Sequence, residues 1–233
     1  QEQLHQFGQN PELSICATQV KYRPSHKKET GFRHFVEWSN QLLYHDQIFD
    51  NRFVEFPVVN PTLMFRRALI ESVGLFKEGD FPEDYEWFLK AMDLGHQISK
   101  VNKPLLDWVD SDSRLTRSDS RYESEQFFKI KTVYLARHLK SIQQPKVWIW
   151  GAGKLALRRS QWLTKHGIQI EGYIDIKKNK TLEHYPCVHF EEINPTNQPF
   201  VISYITNRGK REEVRKFLNK RGFQERISYI IAG

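Results

Sequence analysis

The sequence predicts an α/β fold built in two parts. Residues 145–233 alternate short apolar stretches with helical ones, and a glycine-containing turn joins the first apolar stretch to a helix. The charge also changes at Pro145: 19 basic and 20 acidic residues precede it, whereas 16 basic and 8 acidic residues follow from it, giving net charges of −1 and +8. Such asymmetry is typical of two separate modules. We therefore predict domains at residues 1–144 and 145–233.

Composition excludes several classes of protein. With 233 residues, of which 39% are hydrophobic and 13% aromatic, the chain can bury a substantial core, so a disordered protein is excluded. No apolar run approaches the ~20 residues that span a bilayer, and Gln1-Glu2-Gln3 does not begin a secretory signal. Cys16 and Cys187 lack metal-ligand spacing, which excludes a cysteine-rich zinc site. We predict a cytoplasmic protein.

The first part mixes strands and helices. Its patterns predict a strand over residues 12–22, a helix over 32–45, a helix over 66–73 that ends at Gly74, and a helix over 122–140. Polar residues and Pro145 end the last of these helices. This part has no glycine-rich strand–helix–strand start of its own, so we interpret it as half of a larger α/β domain.

An acidic segment begins another predicted helix. Asp80 is placed to cap it, and Glu83, three residues later, completes a capping box. On a helical projection Asp84 falls on the apolar half, whereas Glu86 falls on the solvated half. A carboxylate on the inward side is costly unless it faces a cleft, where it can act as a general base. A well-capped helix without catalytic function is the alternative.

The second part has the order of a Rossmann-like nucleotide-binding fold. A strand over residues 147–150 leads into Gly151-Ala152-Gly153, a helix follows to His166, and a strand over 168–175 ends at Asp175. A strand over 199–205, a helix over 210–220 and a strand over 228–232 complete a small parallel sheet of four or five strands.

The glycine turn carries a candidate nucleotide site. Gly151-x-Gly153-x-x-Ala156 together with Asp175 is a dinucleotide fingerprint with Ala in place of the third glycine. The glycines permit a tight turn and close approach of a phosphate, and the helix N-terminus attracts the anion. The alternative is a purely structural turn. For the +8 charge we favour a solvated basic surface over a nucleic-acid partner, because basic and aromatic residues do not interleave.

Four segments of the first part carry a resemblance to a known family. They are Phe56-Pro-Val-Val-Asn-Pro-Thr-Leu-Met-Phe-Arg-Arg67, Val73-Gly74, Pro82-Glu83-Asp84-Tyr85 and Pro104-Leu-Leu. In this order and spacing they resemble the C-terminal, acceptor-side half of an inverting family 2 glycosyltransferase of the GT-A fold, over roughly residues 1–140. The resemblance implies transfer of a sugar from a nucleotide sugar to a glycan or other acceptor hydroxyl. It also implies that Asp84 is the catalytic base and Glu83 a supporting residue.

The resemblance further implies a divalent metal, Mg or Mn, held by an Asp-x-Asp motif that precedes the Glu-Asp pair. Asp110-Ser111-Asp112 follows that pair, and we interpret it as a loop. The metal ligands and the nucleotide-binding half are therefore expected upstream of residue 1, not in this chain. We expect the 233 residues alone to transfer little or no sugar.

The stretch from Leu106 to Tyr122 resembles a signature of family 2 members that carry an extra C-terminal Rossmann-like domain, as does the segment from Asn207 to Arg211. Those members usually show Trp-Arg-Asp where this chain has Trp108-Val-Asp. Arg114 and Arg117 are candidates for binding phosphate, since guanidinium groups pair with it bidentately, and Trp108 could stack on a sugar. Solvated arginines and a core tryptophan are the alternatives.

Two rival functions stay open at this point. One is a regulatory module whose Rossmann-like domain binds a nucleotide or nucleotide sugar. The other is a nicotinamide oxidoreductase, which is disfavoured because no Tyr-x-x-x-Lys motif or acid/base dyad follows the fingerprint.

Overall fold

A computed structural model describes residues 1–24, 30–111 and 114–233. The chain divides into two compact units. The first comprises Gln1–Arg52 and Phe56–Ile130, and the second comprises Phe53–Glu55 and Lys131–Gly233. The second unit therefore begins inside a long helix, ahead of the boundary predicted at Pro145, and it includes a three-residue segment from the first part of the chain.

A mixed sheet organises the first unit. Within the described residues it has three strands in the order β2-β1-β3, with β1 parallel to β3 and antiparallel to β2. The elements in chain order are α1 (Glu2–Gln9), β1 (Leu13–Arg23), α2 (Thr30–Gln41), α3 (His45–Asp50), β2 (Met64–Phe65), α4 (Arg67–Val73), α5 (Glu83–Asp93), β3 (Gln97–Val109), α6 (Leu115–Ser118) and the first part of α7 (Ser124–Ser141).

The second unit is built on a parallel sheet. Among the described residues five strands take part, in the order β6-β5-β4-β7-β8. The elements after α7 are β4 (Lys146–Trp150), α8 (Lys154–Lys165), β5 (Gln169–Asp175), β6 (Cys187–His189), β7 (Val201–Ser203), α9 (Arg208–Lys220) and β8 (Tyr229–Ile231). The chain first runs outward from β4 to β6 and then continues on the other side of β4. That reversal is typical of a Rossmann-like arrangement.

The predicted α/β class is confirmed, and the second unit has the parallel sheet that the sequence predicted. The predicted strands and helices lie within a few residues of β1, α2, α4, α7 and the elements from β4 to β8, whereas β6 was missed. That the first unit is half of a GT-A domain stays a prediction. Within the described parts of the chain, none of the helices has both the length and the apolar character needed to cross a membrane.

Candidate functional site

Helix α5 positions the acidic pair at its start. It begins at Glu83 with Pro82 as the N-cap residue, and no side chain caps it. The predicted capping box is therefore wrong: Asp80 is exposed, and the Glu83 carboxylate is engaged with Tyr122 rather than with the backbone at Asp80. Glu83 and Asp84 thus occupy the first turn of a helix, where backbone N–H groups favour negative charge.

Asp84 is a half-buried carboxylate with few donors. Its Oδ1 accepts a hydrogen bond from the backbone N–H of Tyr85 at 2.7 Å. Burial raises the pKa of Asp84 to about 6; the Tyr85 N–H partly opposes this rise, and the neighbouring Glu83 charge adds to it. A carboxylate with this pKa is ionised near neutral pH and holds a proton more strongly than an exposed aspartate, which suits a general base.

Glu83 is oriented by a network of Asp119, Arg121 and Tyr122, which lie well beyond the acidic pair in the sequence. The Tyr122 hydroxyl donates to the Glu83 carboxylate, 2.7 Å from Oε1 and 3.0 Å from Oε2. Arg121 Nη1 lies 4.0 Å from Glu83 Oε2, and the Arg121 guanidinium is itself held by the carboxylate of Asp119. Burial, followed by the contact with Glu83, raises the pKa of Tyr122, so its phenol remains a donor at neutral pH. Sequence reasoning missed this network, because spacing alone does not show that residues 119–122 reach α5.

Packing fixes the position of the α5 N-terminus. The ring of Tyr85 is buried and contacts Phe56 and Phe127, with centroids 5.5 and 5.6 Å apart, and its hydroxyl donates to the Arg52 carbonyl at 2.5 Å. Glu86, predicted to be solvated, is instead buried beside Lys77, whose Nζ lies 3.3 Å from its carboxylate. These contacts hold the first turn of α5, which carries Asp84, in place.

The structure brings Trp108, Arg114 and Arg117 together around Asp110. Arg114 stacks on Trp108, 3.9 Å from guanidinium carbon to ring centroid. Arg117 Nη2 lies 2.8 Å from Asp110 Oδ2, and Arg114 Nη1 lies 3.9 Å from Asp110 Oδ1. Asp110 is buried and also accepts from the Tyr22 hydroxyl at 2.9 Å. The arginines are thus ion-paired rather than simply solvated. Asp112 lies outside the described residues.

Trp108 belongs to the hydrophobic core of the first unit. It is buried with Val20, Val36 and Val59, and the guanidinium of Arg114 stacks on one face of its ring. The alternative of a core tryptophan is therefore confirmed, and stacking of this ring on a sugar is not supported.

The glycine turn of the second unit follows β4 directly. Gly151 has φ +114°, a conformation that L side chains rarely adopt, and its N–H donates to the Ile174 carbonyl at 2.8 Å. Gly153 is the N-cap residue of α8, with open space where a Cβ would stand. Ala156 lies in the first turn of α8, 3.5 Å from a Cβ built on Gly151. The structure therefore assembles Gly151, Gly153 and Ala156 at the carboxyl end of β4.

Asp175 is already engaged by the protein. Its Oδ2 accepts from the Ala152 N–H at 3.2 Å and from Lys180 Nζ at 2.9 Å, and its Oδ1 accepts from the Lys177 N–H at 3.0 Å. Burial raises the pKa of Asp175, but the bonds from Lys177, Lys180 and Ala152 outweigh it and leave the pKa below its usual value. Asp175 thus ties the glycine turn to the end of β5, with little capacity left for a ribose hydroxyl.

Residues 1–24, 30–111 and 114–233 contain no group of three or more His, Cys, Asp or Glu side chains that could hold a metal ion. The residues present therefore do not fit a metal site. Comparisons with protein-family models, with curated proteins and with solved structures gave no match.

Proposed function

We propose that this chain supplies the acceptor-activating base of a glycosyltransferase that moves a sugar from a nucleotide sugar to an acceptor hydroxyl with inversion. The observation that carries the proposal is Asp84, a half-buried carboxylate in the first turn of α5 whose burial raises its pKa to about 6. The order of the Pro61, Val73-Gly74, Glu83-Asp84 and Pro104-Leu-Leu motifs supports it.

In the proposed reaction Asp84 accepts the proton of the acceptor hydroxyl. The acceptor oxygen forms a bond to the anomeric carbon as the bond from that carbon to the nucleotide diphosphate breaks, and the leaving oxygen takes the electron pair. Attack on the face opposite the leaving group inverts the configuration. Glu83, held by Tyr122, adds negative charge that strengthens the affinity of Asp84 for the proton.

Asp84→Asn tests the proposal. The asparagine oxygen can still accept the Tyr85 N–H but cannot take a proton from the acceptor, so we expect transfer to fall by at least about 100-fold. The assay measures release of nucleoside diphosphate from a panel of nucleotide sugars by the product of the complete reading frame. Asp80→Asn is the matched control, because Asp80 is exposed on the segment just before α5. Wild-type turnover by Asp84→Asn would refute the proposal.

A second candidate is a nucleotide-binding module in the second unit. The placement of Gly153 favours it: this residue caps α8 at the carboxyl end of β4, where the strand order reverses, and a Cβ there would meet only open space. Calorimetric titration with uridine and nicotinamide nucleotides tests it. Gly153→Val should weaken nucleotide binding and leave the fold intact. If the variant binds nucleotide as tightly as the wild type, the turn has a structural role only.

A further inference from the structure

A short basic segment follows β5 in the second unit. It covers residues 176–180, directly after Asp175, and contains Lys177, Lys178 and Lys180. We name it the lysine segment. Lys177 and Lys178 are exposed, and the side chain of Lys180 is 23% exposed, so solvent reaches all three ammonium-bearing side chains. The lysine segment thus gathers three accessible cations at the carboxyl end of one strand.

The lysine segment folds back over the carboxylate of Asp175. The Lys177 N–H donates to Asp175 Oδ1 at 3.0 Å, and Lys180 Nζ donates to Asp175 Oδ2 at 2.9 Å. Asn179, just before Lys180, has φ +55°, a left-handed conformation that asparagine tolerates in turns. Both the start and the end of the segment therefore contact the same carboxylate, which holds Lys180 in place.

Positive charge exceeds negative charge at this end of β5. Among the described residues, Lys180 forms one ion pair, with Asp175, and Lys177 and Lys178 form none. The next acid along the chain, Glu183, is exposed and lies beside His184. One carboxylate therefore faces three lysines. Because the Lys180 ammonium offsets the charge of Asp175, the carboxylate repels an incoming anion only weakly.

The position of the lysine segment in the sheet indicates which part of a nucleotide would reach it. β5 pairs with β4, and the glycine turn with Gly153 follows β4. The Ala152 N–H of that turn donates to Asp175 Oδ2 at 3.2 Å, so the turn and the end of β5 adjoin. In dinucleotide-binding folds the turn binds phosphate, and the end of the next strand binds the ribose, where a basic group accommodates a ribose phosphate.

The hydrogen bonds at this position suit a ribose phosphate better than a free ribose hydroxyl. A hydroxyl needs a carboxylate oxygen with unused capacity, and both oxygens of Asp175 already accept hydrogen bonds. The Lys180 ammonium has three N–H donors and, within the described parts of the chain, uses one of them, on Asp175. Its other donors are available to phosphate oxygens.

We propose that the lysine segment binds a phosphate monoester carried on a ribose hydroxyl of a nucleotide whose 5′-phosphate lies at the glycine turn. Lys180 determines specificity, because its ammonium binds the ribose phosphate and also occupies the carboxylate that an unphosphorylated ribose would need. Lys177 and Lys178 add attraction for the anion. The inference rests on the second candidate function, nucleotide binding in the second unit, and extends it by naming the class of nucleotide.

Calorimetric titration of the full chain with matched adenosine nucleotides tests the site. Adenosine 5′-monophosphate lacks the ribose phosphate that adenosine 2′,5′-bisphosphate and adenosine 3′,5′-bisphosphate carry. We expect one bisphosphate to bind at least about tenfold more tightly than the monophosphate, because only the bisphosphates form charge-assisted hydrogen bonds with Lys180. The tighter of the two shows which ribose hydroxyl carries the phosphate.

Lys180→Met should change the two affinities in opposite directions. Bisphosphate binding should weaken by about tenfold, because the ammonium is lost, and monophosphate binding should tighten, because Asp175 Oδ2 can again accept from a ribose hydroxyl. Lys165→Met, at an exposed lysine in the last turn of α8, is the matched control and should change either affinity by less than about twofold. Should Lys180→Met fail to fold, Lys177→Gln should also weaken bisphosphate binding.

Gly153→Val separates failure of this inference from failure of the nucleotide proposal. If monophosphate and bisphosphates bind equally and Gly153→Val weakens all of them, the unit binds nucleotides but the lysine segment does not select among them. Equal losses in Lys180→Met and Lys165→Met would indicate attraction to overall charge only and would overturn the site. A bisphosphate preference that Gly153→Val leaves unchanged would also overturn it. If none of the three nucleotides binds, both proposals fail.

Discussion

At the scale of single residues, Asp84 is a group whose ionisation opposes folding. Its pKa is about 6 in the folded chain against 3.8 for an unperturbed aspartate, because burial disfavours the charge. The folded state therefore binds more protons than the unfolded state between these two values, and stability falls as the pH rises through that window. Above pH 6 the ionised Asp84 lowers the free energy of unfolding by its full amount, which is at most about 3 kcal/mol for a pKa shift of this size.

Replacing Asp84 should therefore stabilise the protein where the carboxylate is ionised. We expect Asp84→Asn to raise the free energy of unfolding by about 1–3 kcal/mol at pH 8, where the wild type carries the buried charge. The gain should nearly vanish near pH 3.5, where Asp84 is mostly protonated in both states. Denaturant unfolding of both proteins at the two pH values measures the difference.

The exposed neighbour Asp80 provides the control for this measurement. Asp80 does not cap α5, so Asp80→Asn should change stability by less than about 0.5 kcal/mol at either pH. A variant at Asp84 that is no more stable than wild type at pH 8 would show that its carboxylate is better solvated than the structure indicates.

Tyr122 acts through Glu83 and is a positioning residue. Tyr122→Phe removes a hydrogen bond to a half-buried carboxylate, so we expect a loss of about 1–2 kcal/mol in stability. If Glu83 supports the proposed base, transfer should also fall, by less than in Asp84→Asn, and the pH profile of kcat should shift. Loss of stability with an unchanged pH profile would make the contact purely structural.

At the scale of elements, the two glycines of the turn after β4 should respond differently to substitution. Gly151→Ala forces a side chain onto φ +114° and should cost about 1–3 kcal/mol. Gly153→Ala adds a Cβ in open space at ordinary φ and should cost less than about 1 kcal/mol. Thermal unfolding followed by circular dichroism compares the two variants. Equal losses would show that Gly153 is also conformationally constrained.

Local patterns predicted most elements of the sheet in the second unit, because apolar runs and the glycine turn are contiguous in sequence. Strand β3 was not predicted, since Lys100, Asn102 and Pro104 interrupt its pattern. It can still pair because, among the described strands, it lies at the edge of its sheet, where proline is tolerated, and Pro104 lies opposite Gln19 at a register shift. Helix α5 was predicted from its apolar face, but its start was misassigned, because the partner of Glu83 lies 39 residues away at Tyr122.

At the scale of the whole molecule, the candidate sites differ in how far sequence could reveal them. Asp84 and the glycine turn lie within short motifs. The network around Glu83 draws on Asp119, Arg121 and Tyr122, which lie far from α5 along the chain and reach it only in the folded structure. The composition of residues 145–233 suggested a solvated basic surface, and for Arg159 and Arg211 that interpretation is wrong because both are buried.

The division of α7 between the two units leads to a prediction for the intact chain. Leu139, fully buried in the C-terminal half of α7, belongs to the second unit, whereas Phe128, buried in the N-terminal half, belongs to the first. We expect Leu139→Ala to lower the unfolding free energy of the second unit by about 2–5 kcal/mol and Phe128→Ala to lower that of the first by about 3–5 kcal/mol, because each leaves a cavity.

Native-state hydrogen exchange locates these losses. Leu139→Ala should speed exchange of the amides in β4 and β5 and leave those in β1 and β3 unchanged, whereas Phe128→Ala should do the reverse. The two variants share one helix and one kind of change, so a difference between their exchange patterns reports the unit that each half of α7 stabilises. Faster exchange in both sheets for both variants would instead show that the chain unfolds as one cooperative body and that α7 is not divided energetically.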